Sequence, residues 1–169
     1  LARELADEYT AKNPDKPRFV AGSVGPTNKT CSMSPDVNNP AYRALTYDEL
    51  AAAYQQQMEA MLEGGVDAIL IETIFDTLNA KTAIFAAEQA MKVTGVEVPV
   101  MLSVTVSDVG GRTLSGQTLD AFLASVQHAN IFSVGLNCSF GARQLKPFLE
   151  QLAVRAPYYI SACLLYTSP

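Results

Sequence analysis

The stretch GGVDAILIETIFDTLNAKTAIFA, residues 64–86, joins the end of one helix to a buried strand and that strand to a second helix. The two glycines are typical of a helix C-terminus. Val66 to Glu72 is almost entirely apolar, which predicts a strand covered on both faces. A helical pattern follows from Phe75 to Gly95. This arrangement is typical of a parallel sheet with helical crossovers.

The same alternation of helix and strand continues on both sides of this stretch. The chain opens with a helical pattern whose apolar stripe is Leu1, Leu5 and Tyr9. Thr46 and Glu49 have the spacing of a capping box. Pro147 must lie in the first turn of its helix or kink it. The predicted elements are helix 1–12, strand 19–22, helix 46–65, strand 66–72, helix 75–95, strand 98–106, helix 116–129, strand 131–137, helix 142–154 and strand 158–162.

This order favours a parallel α/β sheet with right-handed crossovers, which a doubly wound sheet and a (β/α)8 TIM barrel both provide. No GxGxxG follows the first strand, so the barrel is favoured. A complete barrel needs about 250 residues, and the chain has 169. The predicted fold is therefore an incomplete (β/α)8 barrel with about five of its eight strands. The N-terminus lacks an initiating Met, so we expect the chain to begin partway through something larger.

Composition narrows the class of function. Hydrophobic residues make up 49% of the chain and the formal net charge is −5. No basic cluster is present, so neither nucleic acid nor an anionic membrane is expected as a partner. No apolar run approaches the roughly 20 residues that span a bilayer. Cys31, Cys138 and Cys163 are odd in number and widely spaced, which favours a reducing, cytoplasmic setting over a disulfide framework.

Polar residues follow every predicted strand, where barrel enzymes place their sites. Glu72 ends a buried strand, and an unpaired buried carboxylate is costly. It therefore requires a cationic partner, a metal or a ligand ammonium, unless it caps a helix or bridges loops. Asp76 is as easily a helix cap as a site residue. The loop from Gly25 to Leu45 is long enough to suggest a functional segment.

Cys138 is ambiguous from the residues alone. A free cysteine is often buried and inert, whereas a catalytic thiolate needs a nearby His or a helix N-terminus. The single histidine, His128, lies at the other end of the same unit. A zinc site would need two or three further Cys or His ligands. Taken by itself, the chain offers no complete metal site.

Four segments together carry a resemblance to a known family: AGSVGPTNKTCSMSPDVNNPAYRALTYDELAAAY, GGVDAILIETIFDTLNAKTAIFA, GRTLSGQT and GLNCSFGARQL. Residues 1–162 resemble the zinc-dependent homocysteine S-methyltransferases. The long loop with SPDV points to their cobalamin-dependent branch, the methionine synthases. The resemblance implies transfer of a methyl group from methylcobalamin to zinc-bound homocysteine, giving methionine.

The resemblance also implies roles for individual residues. Cys138 matches the first of three thiolate zinc ligands. Glu72 matches the carboxylate that holds the homocysteine amino group, and Asn137 matches a residue lining the same site. We group Ser103 with them as a substrate-binding candidate, and no residue is assigned a catalytic role. Methylcobalamin and methyltetrahydrofolate would be bound by other domains of the same parent chain.

The sequence also departs from the family pattern. The adjacent Cys-Cys pair that supplies the other zinc ligands is absent, so we expect this chain alone to be inactive. We divide the chain into a partial homocysteine-binding barrel, 1–162, and an aberrant tail, 163–169, and expect no ligand role for Cys163. The alternatives are betaine, S-methylmethionine or S-adenosylmethionine as donor, a non-catalytic α/β binding module, and a pterin-binding barrel.

Overall fold

In the computed structural model, which describes residues 1–164, helices and strands alternate along the whole chain. The elements are α1 (Ala2–Lys12), β1 (Ala21–Val24), α2 (Tyr47–Glu63), β2 (Ala68–Ile74), α3 (Thr77–Thr94), β3 (Val100–Val104), α4 (Leu119–Val126), β4 (Ser133–Asn137), α5 (Ala142–Arg155) and β5 (Tyr159–Cys163). The predicted order of elements is confirmed. Of the segment predicted to be an aberrant tail, residues 165–169 lie outside the described residues, and Cys163 ends β5.

The five strands form one parallel sheet in the order β1-β2-β3-β4-β5. A doubly wound sheet would reverse direction at a switch point. A sequential order with right-handed crossovers instead places every helix that connects two strands on one face of the sheet. The α/β prediction is confirmed, and five sequential parallel strands are the arrangement of part of a (β/α)8 barrel.

The core lies between the sheet and its helices. Every second residue of β2, β3 and β4 points toward the helices and is almost completely buried, as period-two alternation requires. The fully buried side chains on the two sides of this layer include Ile69, Leu102, Val104, Leu136, Leu50, Met58, Phe122, Leu145 and Leu152. This packing fixes where each strand ends, and therefore the positions of the side chains that follow.

The helix ends follow their sequence signals. Thr46 and Glu49 form the predicted capping box at the start of α2. The Asp76 carboxylate accepts hydrogen bonds from the backbone N–H groups of Leu78 and Asn79, so Asp76 is the N-cap of α3. Gly95 ends α3 with φ of 70°, a conformation that glycine adopts without strain.

One prediction near the N-terminus is wrong, and one is confirmed. β1 is Ala21–Val24 rather than 19–22, because the Val20 N–H is already bonded to the Asp67 carboxylate at 2.7 Å, and Phe19 is exposed. The α1 helix forms, but its Leu1, Leu5, Tyr9 stripe is exposed among the described residues, and only Ala6 is buried. Polar contacts hold α1 instead: Arg3 pairs with Asp7 within the helix and with Asp67 before β2.

Pro147 lies in the second turn of α5, not the first, and the helix continues through it. The alternative, a kink at Pro147, stays a prediction. The Pro147 side chain is exposed to solvent. The proline cannot donate a hydrogen bond to the carbonyl of Arg143, four residues earlier. That carbonyl lies near the surface, because Arg143 is exposed, so water can satisfy it.

Candidate functional site

The carboxyl ends of β2, β3 and β4 carry the four side chains selected from the sequence: Glu72, Ser103, Asn137 and Cys138. The strands are parallel, so these ends meet at one edge of the sheet. Ser103 pairs with Gly135, which places Asn137 one level further along. The structure therefore brings the four candidates to the same end of the partial barrel.

Glu72 lies on the face of the sheet opposite the helices and is partly exposed, not buried as its sequence context predicted. Its carboxylate accepts a hydrogen bond from the Ser23 hydroxyl at the end of the neighbouring strand. Within residues 1–164, no Lys or Arg side chain forms an ion pair with it. This partly exposed carboxylate is therefore open to a cationic ligand.

Asn137 connects three strand ends through its side-chain amide. Its Oδ1 accepts hydrogen bonds from the Thr73 N–H at 3.2 Å and the Ser103 hydroxyl at 2.8 Å. Its Nδ2 donates to the Thr73 Oγ1 at 2.9 Å. Its backbone carbonyl accepts from the hydroxyls of Thr105 and Ser139. Asn137 is 1% exposed, and these partners offset the cost of burying its polar groups.

Two residues at this edge adopt the left-handed backbone conformation without being glycine. Thr73, directly after Glu72, has φ of 57°, and Cys138, directly after Asn137, has φ of 55°. A β-branched residue at positive φ is rare, and such conformations cost about 1–3 kcal/mol each. They persist where surrounding contacts hold them, and the Asn137 hydrogen bonds are such contacts for Thr73.

Cys138 is exposed, which excludes the buried packing role that the sequence had left open. The environment of Cys31 differs from that of Cys138. Cys31 is buried in the long loop, its N–H donates to the Asn79 side chain, and burial raises the pKa of its thiol. An exposed thiol at a strand exit can reach a metal or a ligand, whereas Cys31 serves packing.

The zinc implied by the resemblance can be compared with the donors at this edge. Cys138 is a suitable thiolate ligand in exposure and position. Three protein ligands are the minimum for a catalytic zinc site, and the described part of the chain holds no cluster of three His, Cys, Asp or Glu side chains that could bind a metal. Among the described residues, this edge therefore offers a single suitable ligand for such a site.

The long loop after β1 is anchored to the start of α3, beside the candidate site. The Asn79 side chain accepts from the Cys31 N–H at 2.9 Å and donates to the Lys29 carbonyl at 3.1 Å. The Asp76 carboxylate accepts from the Ser32 hydroxyl. Sequence reasoning missed Asn79, although its position in the first turn of a helix beside a long loop was a signal for such a role.

The chain resembles known proteins both in sequence and in fold. A family model described as homocysteine S-methyltransferase matches residues 1–166. The apo crystal structure of the homocysteine methyltransferase MmuM from Escherichia coli superposes with a TM-score of 0.75 at 21% identity, covering 98% of this chain and 57% of that one. Its metallated form gives a TM-score of 0.70 at 21% identity, over 96% and 54%. The chain thus spans little more than half the length of these structures and shares their fold.

No helix within residues 1–164 combines the length and the apolar character needed to cross a membrane.

Proposed function

Because the chain belongs to the homocysteine S-methyltransferase family, we propose that it is part of an enzyme that moves a methyl group to the sulfur of homocysteine, giving methionine. The observation that carries the proposal is the pairing of an exposed thiol, Cys138, with an open carboxylate, Glu72, at one edge of the sheet. Homocysteine has a thiol at one end and an ammonium group at the other. Glu72 suits the ammonium group, and Cys138 suits the thiol as a ligand of a metal that would bind it.

Glu72 is proposed to bind the amino group of homocysteine. Its side chain is partly exposed, and the Ser23 hydroxyl holds one of its carboxylate oxygens. A charge-assisted hydrogen bond to an ammonium group is roughly twice as strong as a neutral one. Orientation of the substrate by this end places its sulfur toward the end of β4, where Cys138 lies.

Cys138 is proposed to be one thiolate ligand of a zinc ion whose remaining ligands come from outside the described residues. When bound, zinc would act as a Lewis acid and lower the pKa of a thiol held beside it, so that the thiolate nucleophile forms near neutral pH. The left-handed backbone at Cys138 turns its side chain outward at the end of β4. With one ligand of three, this chain alone is proposed to be inactive.

The proposed methyl donor is methylcobalamin, bound by another domain of the parent chain, with methyltetrahydrofolate supplying that cofactor in turn. The loop from Gly25 to Leu45 supports this choice over betaine, S-methylmethionine or S-adenosylmethionine. Its base is fixed to Asn79 and Asp76, while residues 35–43 are exposed. The loop is therefore a firmly anchored element beside the site that another domain can contact. A cytoplasmic setting is part of this proposal.

The test uses the full-length protein that contains this sequence, supplied with homocysteine and with each donor class in turn. We expect methionine to form with methylcobalamin. Glu72→Gln should raise the KM for homocysteine at least tenfold, while Glu88→Gln, an exposed carboxylate on α3, should leave it unchanged. Methionine formed only from another donor would overturn the cobalamin assignment. No methionine from any donor would favour a non-catalytic binding module instead.

A further inference from the structure

A large cavity lies at the end of the sheet opposite the candidate site. Its volume is about 820 Å³, and it is bordered by the starts of β3, β4 and β5 and by the C-terminal part of α3. The candidate site lies at the carboxyl ends of β2, β3 and β4. Because β4 has five residues, roughly 15 Å of strand separates the two regions. The cavity is therefore a part of the molecule that the proposed function does not use.

Backbone hydrogen bonds hold the walls of this cavity, which are mostly apolar. The Phe132 N–H donates to the Val100 carbonyl at 2.8 Å, and the Tyr159 N–H donates to the Phe132 carbonyl at 3.3 Å. These bonds fix the three strand starts relative to one another. Ligand sites in proteins are typically preformed cavities of about 300–1,000 Å³ with apolar walls and a few polar groups. The size and the lining of this cavity fall within that class.

Two aromatic rings of the cavity are open to a ligand. The rings of Phe132 and Tyr159 contact each other, with their centroids 5.0 Å apart and their planes inclined by 44°. Phe132 is 48% exposed and Tyr159 is 71% exposed, although every residue of β4, which begins directly after Phe132, is buried. Such rings offer an apolar surface against which another ring can pack. Their faces also attract positive charge.

The charged side chains of the cavity favour a cation as well. Glu88, Lys92 and Glu97 border it, so two carboxylates accompany one ammonium group. Within residues 1–164, none of these three side chains forms an ion pair. The excess of negative charge and the negative faces of the aromatic rings therefore select the same kind of ligand.

We propose that this cavity is a second binding site, which takes a small aromatic molecule that carries an amino group. The ring of the ligand packs against Phe132 and Tyr159, and its ammonium group lies near the carboxylates of Glu88 and Glu97. An aromatic ring with a carboxylate is repelled by the two glutamates, and an aliphatic amine lacks the ring contacts. This inference does not depend on the proposed function, because the cavity shares no residue with the candidate site.

Three ligands test this class by calorimetry on the full-length protein that contains this sequence. Tryptamine has both the ring and the ammonium group, indole-3-propionate has the same ring with a negative charge, and butylamine has the positive charge without a ring. We expect tryptamine to bind saturably and about tenfold more tightly than either of the others. No saturable binding of tryptamine would overturn the inference, and so would equal affinity for tryptamine and indole-3-propionate.

Two charge substitutions in the cavity should have opposite effects. Glu97→Gln removes a carboxylate and should weaken tryptamine binding about threefold, the size of an exposed ion pair. Lys92→Gln removes an ammonium group and should tighten the binding about twofold. Adsorption through apolar contact alone would leave both affinities unchanged, and that result would overturn the inference.

The aromatic contact has its own pair of variants. Phe132→Leu keeps an apolar side chain but loses the ring, and should weaken tryptamine binding about threefold, within the range for an aromatic pair. Phe19→Leu is the matched control, because Phe19 is 74% exposed and lies outside the cavity. Equal affinities in these two variants would contradict the role of the ring. If Phe132→Leu fails to fold, the two charge variants decide.

The position of the ligand needs a separate readout, because Glu72 is another open carboxylate that an amine can reach. In hydrogen exchange measured by mass spectrometry, tryptamine should slow exchange in peptides that contain residues 130–132 and 157–159. Peptides that contain residues 72–76 should exchange at an unchanged rate. Protection confined to residues 72–76, or at neither place, would overturn this inference. A protein that methylates homocysteine but shows none of these effects would overturn this inference alone.

Discussion

β4 and β5 are neighbouring strands of equal length with opposite surroundings. All five residues of β4 are buried, whereas four of the five in β5 are exposed and the fifth is intermediate. β4 has a strand on each side, and β5 has one neighbour among the described residues. A strand that is held on both sides can carry a strained residue at its end, and Cys138 follows β4. The candidate site accordingly lies at the carboxyl ends of the central strands rather than on the edge strand β5.

The largest expected effect comes from the apolar layer under the two strands. Leu136 of β4 is completely buried, whereas Ile160 of β5 is 36% exposed. Leu136→Ala should lower the free energy of unfolding by about 3.5 kcal/mol, the middle of the range for buried leucines. Ile160→Ala should cost less than about 1 kcal/mol, because little cavity is created. Chemical denaturation of both variants measures the difference, and equal losses would contradict the contrast between the strands.

The next effect concerns the close approach of the two strands. A Cβ built on Gly135 would overlap the hydroxyl and carbonyl oxygens of Ser161 in β5. Gly135→Ala should therefore destabilise the protein by about 2 kcal/mol, within the range for overpacking. Gly25→Ala is the matched control, since a Cβ there meets nothing within 4 Å. Thermal unfolding measures the stability of both variants. Equal stability of the two would contradict the close approach of β4 and β5.

A smaller effect is expected at the N-terminus of α3, where the long loop is attached. Asp76 is buried, caps the helix and accepts from Ser32. Asp76→Ala should cost about 1–2 kcal/mol, the usual range for losing an N-cap. Asp76→Asn keeps an acceptor for the cap and should cost less. The ordering of the two variants in denaturant midpoint is the test, and a harmless Asp76→Ala would contradict the anchoring role.

The smallest effect is a dependence on pH at the other edge strand, β1. The Val20 N–H, and then Arg3, hold the pKa of Asp67 below its ordinary value. A lowered folded-state pKa gives stability that is present above the unfolded pKa and is lost as pH falls through the folded one. The wild type should therefore lose more stability than Asp67→Asn on acidification below about pH 4, near the ordinary pKa of Asp. Acid titration of both proteins measures the difference, and equal losses of stability in the wild type and in Asp67→Asn would contradict this.

Much of the fold could be predicted from the sequence. Continuous apolar runs predicted the strands and capping signals predicted α2 and α3, because both depend on local patterns. The exposure of Leu5 and Tyr9 could not be predicted, since periodicity shows that a helix is amphipathic but not what covers it. The later start of β1 depends on Asp67, which is 47 residues from Val20.

The candidate site, like the fold, could be predicted only in part from the sequence. Strand exits predicted that Glu72, Ser103, Asn137 and Cys138 would share one edge of the sheet, and the structure places them there. The partial exposure of Glu72 depends on what covers its face of the sheet, which residue patterns do not encode. The left-handed conformation of Thr73 is equally hidden, because a threonine near the end of a strand carries no signal for it. It becomes visible only when the Asn137 amide is seen beside it.

The most direct test of the account is the zinc content of the full-length protein, with homocysteine-dependent proton release measured on the same samples. Cys138→Ser should lose at least nine-tenths of the zinc and of the proton release. Cys31→Ser, which changes a buried thiol of the loop, should keep both. Unchanged zinc and proton release in Cys138→Ser would contradict the account, because the exposed thiol at the end of β4 would then not be a metal ligand.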